Sequence, residues 1–212
     1  MDRDARGDAA ADADDDTPHA TGPSAAGAAL VAKLTAAGET LACAESLTAG
    51  LVAATVADTP GASVVLLGGI VAYAAEVKTE LLDVPVELVA RVGTVDPAVA
   101  VAMAEGVRRR LGATWGLSTT GVAGPGPSEC KPAGTVHVAV AGPSGTVTRA
   151  LELNGTRAEI RAATVAAVLR LAGEQSGATR PTPAPPAEPR GTVGVSGHPH
   201  DAPATQRPAP AT

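Results

Sequence analysis

The stretch Thr40-Leu41-Ala42-Cys43-Ala44-Glu45-Ser46-Leu47-Thr48-Ala49-Gly50 changes character within eleven residues. Residues 40–44 are small and apolar, which reads as a short buried strand. Residues 48–57 read as a helix, stopped by Pro60-Gly61. A buried strand turning into a helix is the pattern of an α/β domain, and the neighbouring segments repeat it.

N-terminal to this stretch, residues 25–37 carry Leu30, Val31 and Leu34 at helical spacing and end at Gly38. On the other side, residues 63–73 are β-branched and read as a strand, and residues 76–81 as a short helix. Asp96-Pro97 opens a helix over 98–111, with Asp96 as N-cap and Pro97 in the first turn. Residues 115–119, 134–141 and 147–153 read as strands, and 156–171 as a closing helix. Pro143-Ser144-Gly145 joins two of these strands as a hairpin, so the sheet is expected to be mixed. The expectation is a single three-layer α/β/α domain over residues 24–177.

Composition bounds what that domain can be. Of 212 residues, 45% are apolar, yet Phe is absent and Trp115 and Tyr73 are the only aromatics. The core must be built from Ala, Val and Leu, closely packed. Seven Asp crowd into residues 1–16, and nine of the eighteen prolines fall in the last 34 residues. Both ends therefore read as disordered: an acidic tail over 1–23 and a Pro/Ala-rich tail over 178–212. The segment between them holds thirteen acidic and eleven basic side chains, which does not suit a basic nucleic-acid platform. With so few aromatics, base stacking is not expected either. No secretory signal pattern opens the chain, and the most apolar window, 64–75, is too short to span a membrane. Two cysteines make no disulfide framework, so a reducing, cytoplasmic setting is the simpler expectation.

Three polar clusters interrupt the apolar domain. The first is Glu45-Ser46 with Thr48, at the strand-to-helix junction. Ser46 there is either a helix cap or a nucleophile in a field that stabilises a developing anion. Glu45 abuts a buried strand, so its carboxylate needs hydrogen-bond partners. The second runs from Gly68-Gly69 through Tyr73 to Lys78. Lys78 is one of three lysines in the chain. It is either solvated on a helix or desolvated, and a desolvated lysine can lose its proton. The third is Thr119-Thr120-Gly121-Val122-Ala123-Gly124-Pro125-Gly126-Pro127, followed by Lys131-Pro132. Its glycines suit a turn or an approach of backbone amides to an anion. His137 lies mid-strand and reads as a core or face residue. Cys43, Cys130 and His137 lack metal-ligand spacing. If the domain hydrolyses a bond, Ser with Lys is the available nucleophile and base.

Taken in order, these segments resemble the CinA C-terminal domain family. The resemblance is carried by Glu45-Ser46-Leu47-Thr48-Ala49-Gly50, Pro60-Gly61-Ala62-Ser63, Gly68-Gly69 with Tyr73 and Lys78, and Gly93-Thr94-Val95. It continues through Thr120–Pro125 with Lys131–Val136, and Gly155-Thr156-Arg157 with Arg161. It covers residues 26–173, and six such motifs in register are specific where each alone is weak. The family pattern departs at Ala49, where many members have glycine, and at Pro127-Ser128, where many have a longer glycine run. The resemblance is to the stand-alone form, without the molybdopterin-binding-type domain of the larger proteins.

The resemblance implies a serine amidohydrolase of pyridine nucleotide salvage, deamidating nicotinamide mononucleotide to nicotinate mononucleotide and ammonia. It implies Ser46 as nucleophile, Lys78 as base and Tyr73 as an assisting group, with no metal and no cofactor. Glu45, Thr48, Thr120 and Gly121 are implied at the substrate site. Amides at the start of the helix after Ser46 are expected to hold the oxyanion. The phosphate would fall to loop amides at Gly124–Gly126, to Lys131, or to Arg157 and Arg161, and the sequence leaves that choice open. A homo-oligomer is expected. A non-catalytic nucleotide-binding or regulatory module is the alternative, and an amidase for another small amide a third reading.

Overall fold

The structure is a computed structural model and describes residues 24–176. The tails expected over 1–23 and 178–212 lie outside the described residues.

A five-stranded sheet runs in the order β2-β1-β3-β4-β5. Its strands are β1 (Leu41–Glu45), β2 (Leu66–Val71), β3 (Trp115–Gly121), β4 (Thr135–Gly142) and β5 (Gly145–Glu152). The helices are α1 (Ala25–Ala37), α2 (Leu51–Ala57), α3 (Ala75–Leu82), α4 (Val86–Val92), α5 (Pro97–Leu111) and α6 (Arg157–Gln175). Strand β1 is parallel to both β2 and β3, while β3-β4 and β4-β5 are antiparallel. Gly142 pairs with Gly145 around Pro143-Ser144, so the expected hairpin and mixed sheet are present.

Strand alternation sorts the side chains into two unlike faces. Cys43, Leu117, Val136, Val138 and Val140 meet α1, α2 and α6 in the larger core. The opposite face presents Ala42, Ala44, Ala139 and Ala141 toward α5, which contributes Ala100 and Ala104. Small residues there let α5 lie close against the sheet, which is how a core without Phe reaches density. Gly116 marks a close approach of α5 to β3: a Cβ there would overlap the Ala104 carbonyl oxygen. Gly116→Ala is therefore expected to destabilise the fold by about 1–3 kcal/mol. Thermal unfolding of the variant against the parent checks this.

The capping signals act as their chemistry dictates. The Asp96 side chain accepts from Ala98 N–H, with Pro97 opening α5. Thr156 and Glu159 form a reciprocal capping box at the start of α6. Three segments differ from expectation. The helix expected from Thr48 begins at Leu51, because Ala49 (φ 51°) and Gly50 (φ 99°) take left-handed backbone. The strand expected over 63–73 is a 3-10 turn at Ala62–Val64 followed by β2. Helix α4 was not expected, and it buries no residue fully, so it leaves no strong apolar stripe to read.

The connections place a site. From β1 the chain crosses through α2 to β2 on one side. It then returns through α3, α4 and α5 to β3 on the other. The carboxyl end of β1 is thus the point where connections diverge, and such a point opens a crevice in α/β sheets.

Candidate active site

Ser46 follows the last residue of β1 and lies in that crevice. A cavity of about 270 Å³ opens over it, lined by Leu47, Tyr73, Thr94, Gly121, Gly124 and Arg157 among others. Ser46 is 8% exposed, so its hydroxyl sits at the cavity floor rather than in bulk water.

Behind the serine stands Lys78, in the first turns of α3 and only 1% exposed. Its Nζ donates to Ser46 Oγ (3.1 Å), to the Ala72 carbonyl (2.7 Å) and to the Tyr73 carbonyl (3.0 Å). None of these acceptors carries charge. Burial lowers the Lys78 pKa to about 8, against the opposing pull of the Glu129 and Glu76 carboxylates. A lysine in this setting supplies a neutral amine at mildly alkaline pH, within hydrogen-bond reach of a hydroxyl.

The turn from Ser46 to Gly50 is held from three sides. Ser46 N–H donates to the Thr119 carbonyl. Arg161 donates from Nε to the Leu47 carbonyl (3.0 Å) and from Nη2 to the Thr48 carbonyl (2.8 Å). Thr48 Oγ1 lies 2.7 Å from Thr119 Oγ1. Glu45 points to the α2 side of the sheet and caps that helix. Its carboxylate accepts from the N–H groups of Gly50 (2.9 Å), Val52 (3.0 Å) and Ala53 (2.9 Å). The amides expected to hold an oxyanion are therefore already occupied. The N–H groups of Leu47 and Thr48, by contrast, have no acceptor among the described residues.

Arg157 spans the mouth of the cavity. Its guanidinium donates to the Gly124 carbonyl and to the Tyr73 hydroxyl, both at 2.9 Å, and makes no ion pair among the described residues. On the far wall the Glu129 carboxylate accepts from Thr94 N–H, Thr94 Oγ1 and Val95 N–H, tying the 127–131 loop to the start of the α5 approach. Thr120 Oγ1 donates to the Thr94 carbonyl, steadying the same wall from β3.

The structure thus gathers Ser46, Tyr73, Gly121, Gly124 and Arg157 around one space, with Lys78 buried behind the serine. It gives other expected residues supporting positions. Glu45, Thr48, Thr120 and Arg161 are engaged with the protein itself, and Lys131 Nζ reaches the Val92 carbonyl at 3.3 Å, outside the cavity wall. Tyr73 is 56% exposed and meets Lys78 through its backbone carbonyl, its ring standing at the rim with Arg157. Ala49 is exposed and does not line the cavity. His137 is half-buried on β4 and away from the cavity; burial lowers its pKa, and its Nδ1 has no partner among the described residues. Thr94, Val95 and Glu129 were missed as site residues. Gly93-Thr94-Val95 was visible only as a motif without a role, and Glu129 only as part of a loop. Among the described residues no cluster of His, Cys, Asp or Glu could hold a metal ion, and no helix is long and apolar enough to cross a membrane.

Comparison with known proteins agrees with this architecture. A CinA-like protein of Frankia casuarinae is 56% identical over 132 residues, covering 62% of this chain and 30% of its own. A putative competence-damage inducible protein of Desulforamulus reducens is 50% identical over 136 residues, covering 64% and 33%. The chain thus spans about a third of the length of these curated relatives. Among solved structures, competence/damage inducible protein CihA from Agrobacterium tumefaciens superposes with a TM-score of 0.67. It is 33% identical, over 69% of this chain and 90% of its own. A CinA superfamily protein from Klebsiella pneumoniae gives a TM-score of 0.70 at 27% identity, over 72% and 96%. The family model of the CinA C-terminal domain matches residues 24–176, the whole of the described fold, and this chain belongs to that family.

Proposed function

We propose that this chain is a serine amidohydrolase that deamidates nicotinamide mononucleotide, with Ser46 as nucleophile and Lys78 as base. The observation that carries the reading is the 3.1 Å contact between a buried lysine amine and a hydroxyl on the cavity floor. Neutral Lys78 takes the Ser46 proton as Oγ attacks the carboxamide carbon. Leu47 lines the cavity and its N–H has no acceptor among the described residues, so that N–H stabilises the oxyanion. The C–N bond breaks, Lys78 gives its proton to the departing amine, and ammonia leaves an ester on Ser46. Water then attacks that ester, passes a proton through Lys78 to Ser46 Oγ, and releases the carboxylic acid.

Arg157 accounts for the phosphate. It is an exposed cation at the cavity mouth, held by two neutral acceptors and with no carboxylate partner among the described residues, so it is available to an arriving anion. Arg157→Gln is expected to raise KM for nicotinamide mononucleotide roughly 10- to 100-fold, in keeping with a charged hydrogen bond of about 1.5–3 kcal/mol. The same variant should change little with the riboside, which lacks the phosphate. Equal losses on both substrates would remove Arg157 from phosphate recognition. The reading as a whole is tested by ammonia release from nicotinamide mononucleotide with EDTA present and Ser46→Ala alongside. Metal-independent release that vanishes in the variant supports it. No release from folded protein refutes it.

A further inference from the structure

Glu45 is a carboxylate that is 1% exposed, has no cationic partner among the described residues, and directly precedes Ser46. The hydrolytic chemistry proposed above makes no use of it. Both its oxygens are nevertheless committed, one to Gly50 and Val52 N–H and the other to Ala53 N–H. A buried acidic side chain costs free energy unless such donors satisfy it. A structural cap is usually Ser, Thr, Asp or Asn at the helix boundary itself. Here the capping group comes from five residues upstream, across the turn that carries Ser46, and Gly50 at the boundary has no side chain to offer.

That geometry has a consequence for the nucleophile. Residues 46–50 must loop out between two fixed points, the end of β1 and the first turn of α2. The Glu45 carboxylate joins those points directly, so the loop is closed by one side chain as well as by the backbone. The turn takes left-handed backbone at Ala49 and Gly50, a conformation that alanine does not adopt without support. In this turn the Leu47 and Thr48 amides have no acceptor among the described residues, while Ser46 Oγ meets Lys78.

We propose that Glu45 is the positioning residue of the nucleophile: its carboxylate bonds to Gly50, Val52 and Ala53 hold the 46–50 turn so that Ser46 Oγ meets Lys78 and the Leu47 amide faces the reacting carbonyl. This rests on the reading of Ser46 as a nucleophile. Glu45 acts through the turn and touches no reacting atom. Glu45→Gln keeps the shape but replaces one acceptor oxygen with an amide NH2 that donates and cannot accept.

The test uses the full chain and a fluorophosphonate, a reagent that reports on serine nucleophiles whatever amide is the natural substrate. Ser46 Oγ bonds to phosphorus, fluoride leaves, and Lys78 takes the proton. Glu45→Gln is expected to label about 10²-fold more slowly than the parent, the scale of a misplaced reacting group. Its rate should keep the parent's pH midpoint, because burial and the Glu129 and Glu76 carboxylates, which set the Lys78 pKa, do not involve Glu45. Amide turnover should fall in kcat with KM little changed. Glu45→Asp keeps the charge but draws the carboxylate back by one methylene from the Gly50, Val52 and Ala53 amides, and is expected to give a loss of the same kind. Labelling of both folded variants at the parent's rate would overturn the proposal while leaving the serine reading intact. A parent that does not label would remove both.

Discussion

Ser46→Ala is expected to lower turnover by at least about 10³-fold and to leave ligand affinity within a few-fold. Removing a nucleophile that acts as a unit with its base costs this much or more, because nothing remains for the base to activate. Among the described residues no second hydroxyl hydrogen-bonds to Lys78 Nζ, so none inherits the role. Affinity survives because the binding wall is built elsewhere, by Arg157, Gly124 and the Thr94–Val95 segment. Steady-state ammonia release and ligand titration of the same preparation measure the two halves separately. Loss of binding together with turnover would mean that the serine supports the pocket rather than the chemistry.

Lys78→Met is expected to abolish turnover as fully, and also to change how stability depends on pH. The activity loss follows because Lys78 is the titratable group bonded to Ser46 Oγ. In the parent, turnover should rise about tenfold per pH unit up to the Lys78 midpoint near 8 and level off above it. The stability effect has a definite sign. Lys78 titrates at about 8 in the fold and at its ordinary 10.5 in the unfolded chain. Below pH 8 both states are protonated, and the fold carries the cost of a buried charge. Between 8 and 10.5 the unfolded chain binds the extra proton, so the parent gains stability as pH rises, by about 3 kcal/mol across the window. Lys78→Met lacks this gain, although it leaves the Ala72 and Tyr73 carbonyls without their lysine donor at every pH. Denaturant unfolding of parent and variant from pH 7 to 10.5 reads the difference. Parallel curves would mean that Lys78 keeps an ordinary pKa.

Much of the fold is written locally, where one residue settles one element. Asp96-Pro97 starts a helix because a carboxylate can accept from an orphan amide and proline already has helical φ. Thr156 with Glu159 does the same by a reciprocal bond. The alternation of Val136, Val138 and Val140 needs no tertiary knowledge to read as a strand with one core face. What could not be read is where a side chain goes once the backbone turns. Glu45 and Thr48 sit beside Ser46 in sequence and read as site residues. The left-handed turn at Ala49-Gly50 instead places Glu45 under α2, and Thr48 meets Thr119. Arg157 and Arg161 share a helix face, yet four residues separate a cavity wall from a brace on the Leu47 and Thr48 carbonyls. Glu129 reaches Thr94 across 35 residues, a contact that no local pattern encodes. The Ser46–Lys78 pair was legible through the family resemblance, since residue chemistry alone left Ser46 a cap or a nucleophile and Lys78 solvated or desolvated.

The most direct test of the account is the titration of Lys78 itself, followed by NMR at its ε-carbon in the folded protein with Lys33 and Lys131 as internal comparison. The account predicts a midpoint near 8 that moves when Ser46 is phosphonylated. A midpoint near the ordinary lysine value of about 10.4, indifferent to Ser46, would contradict it.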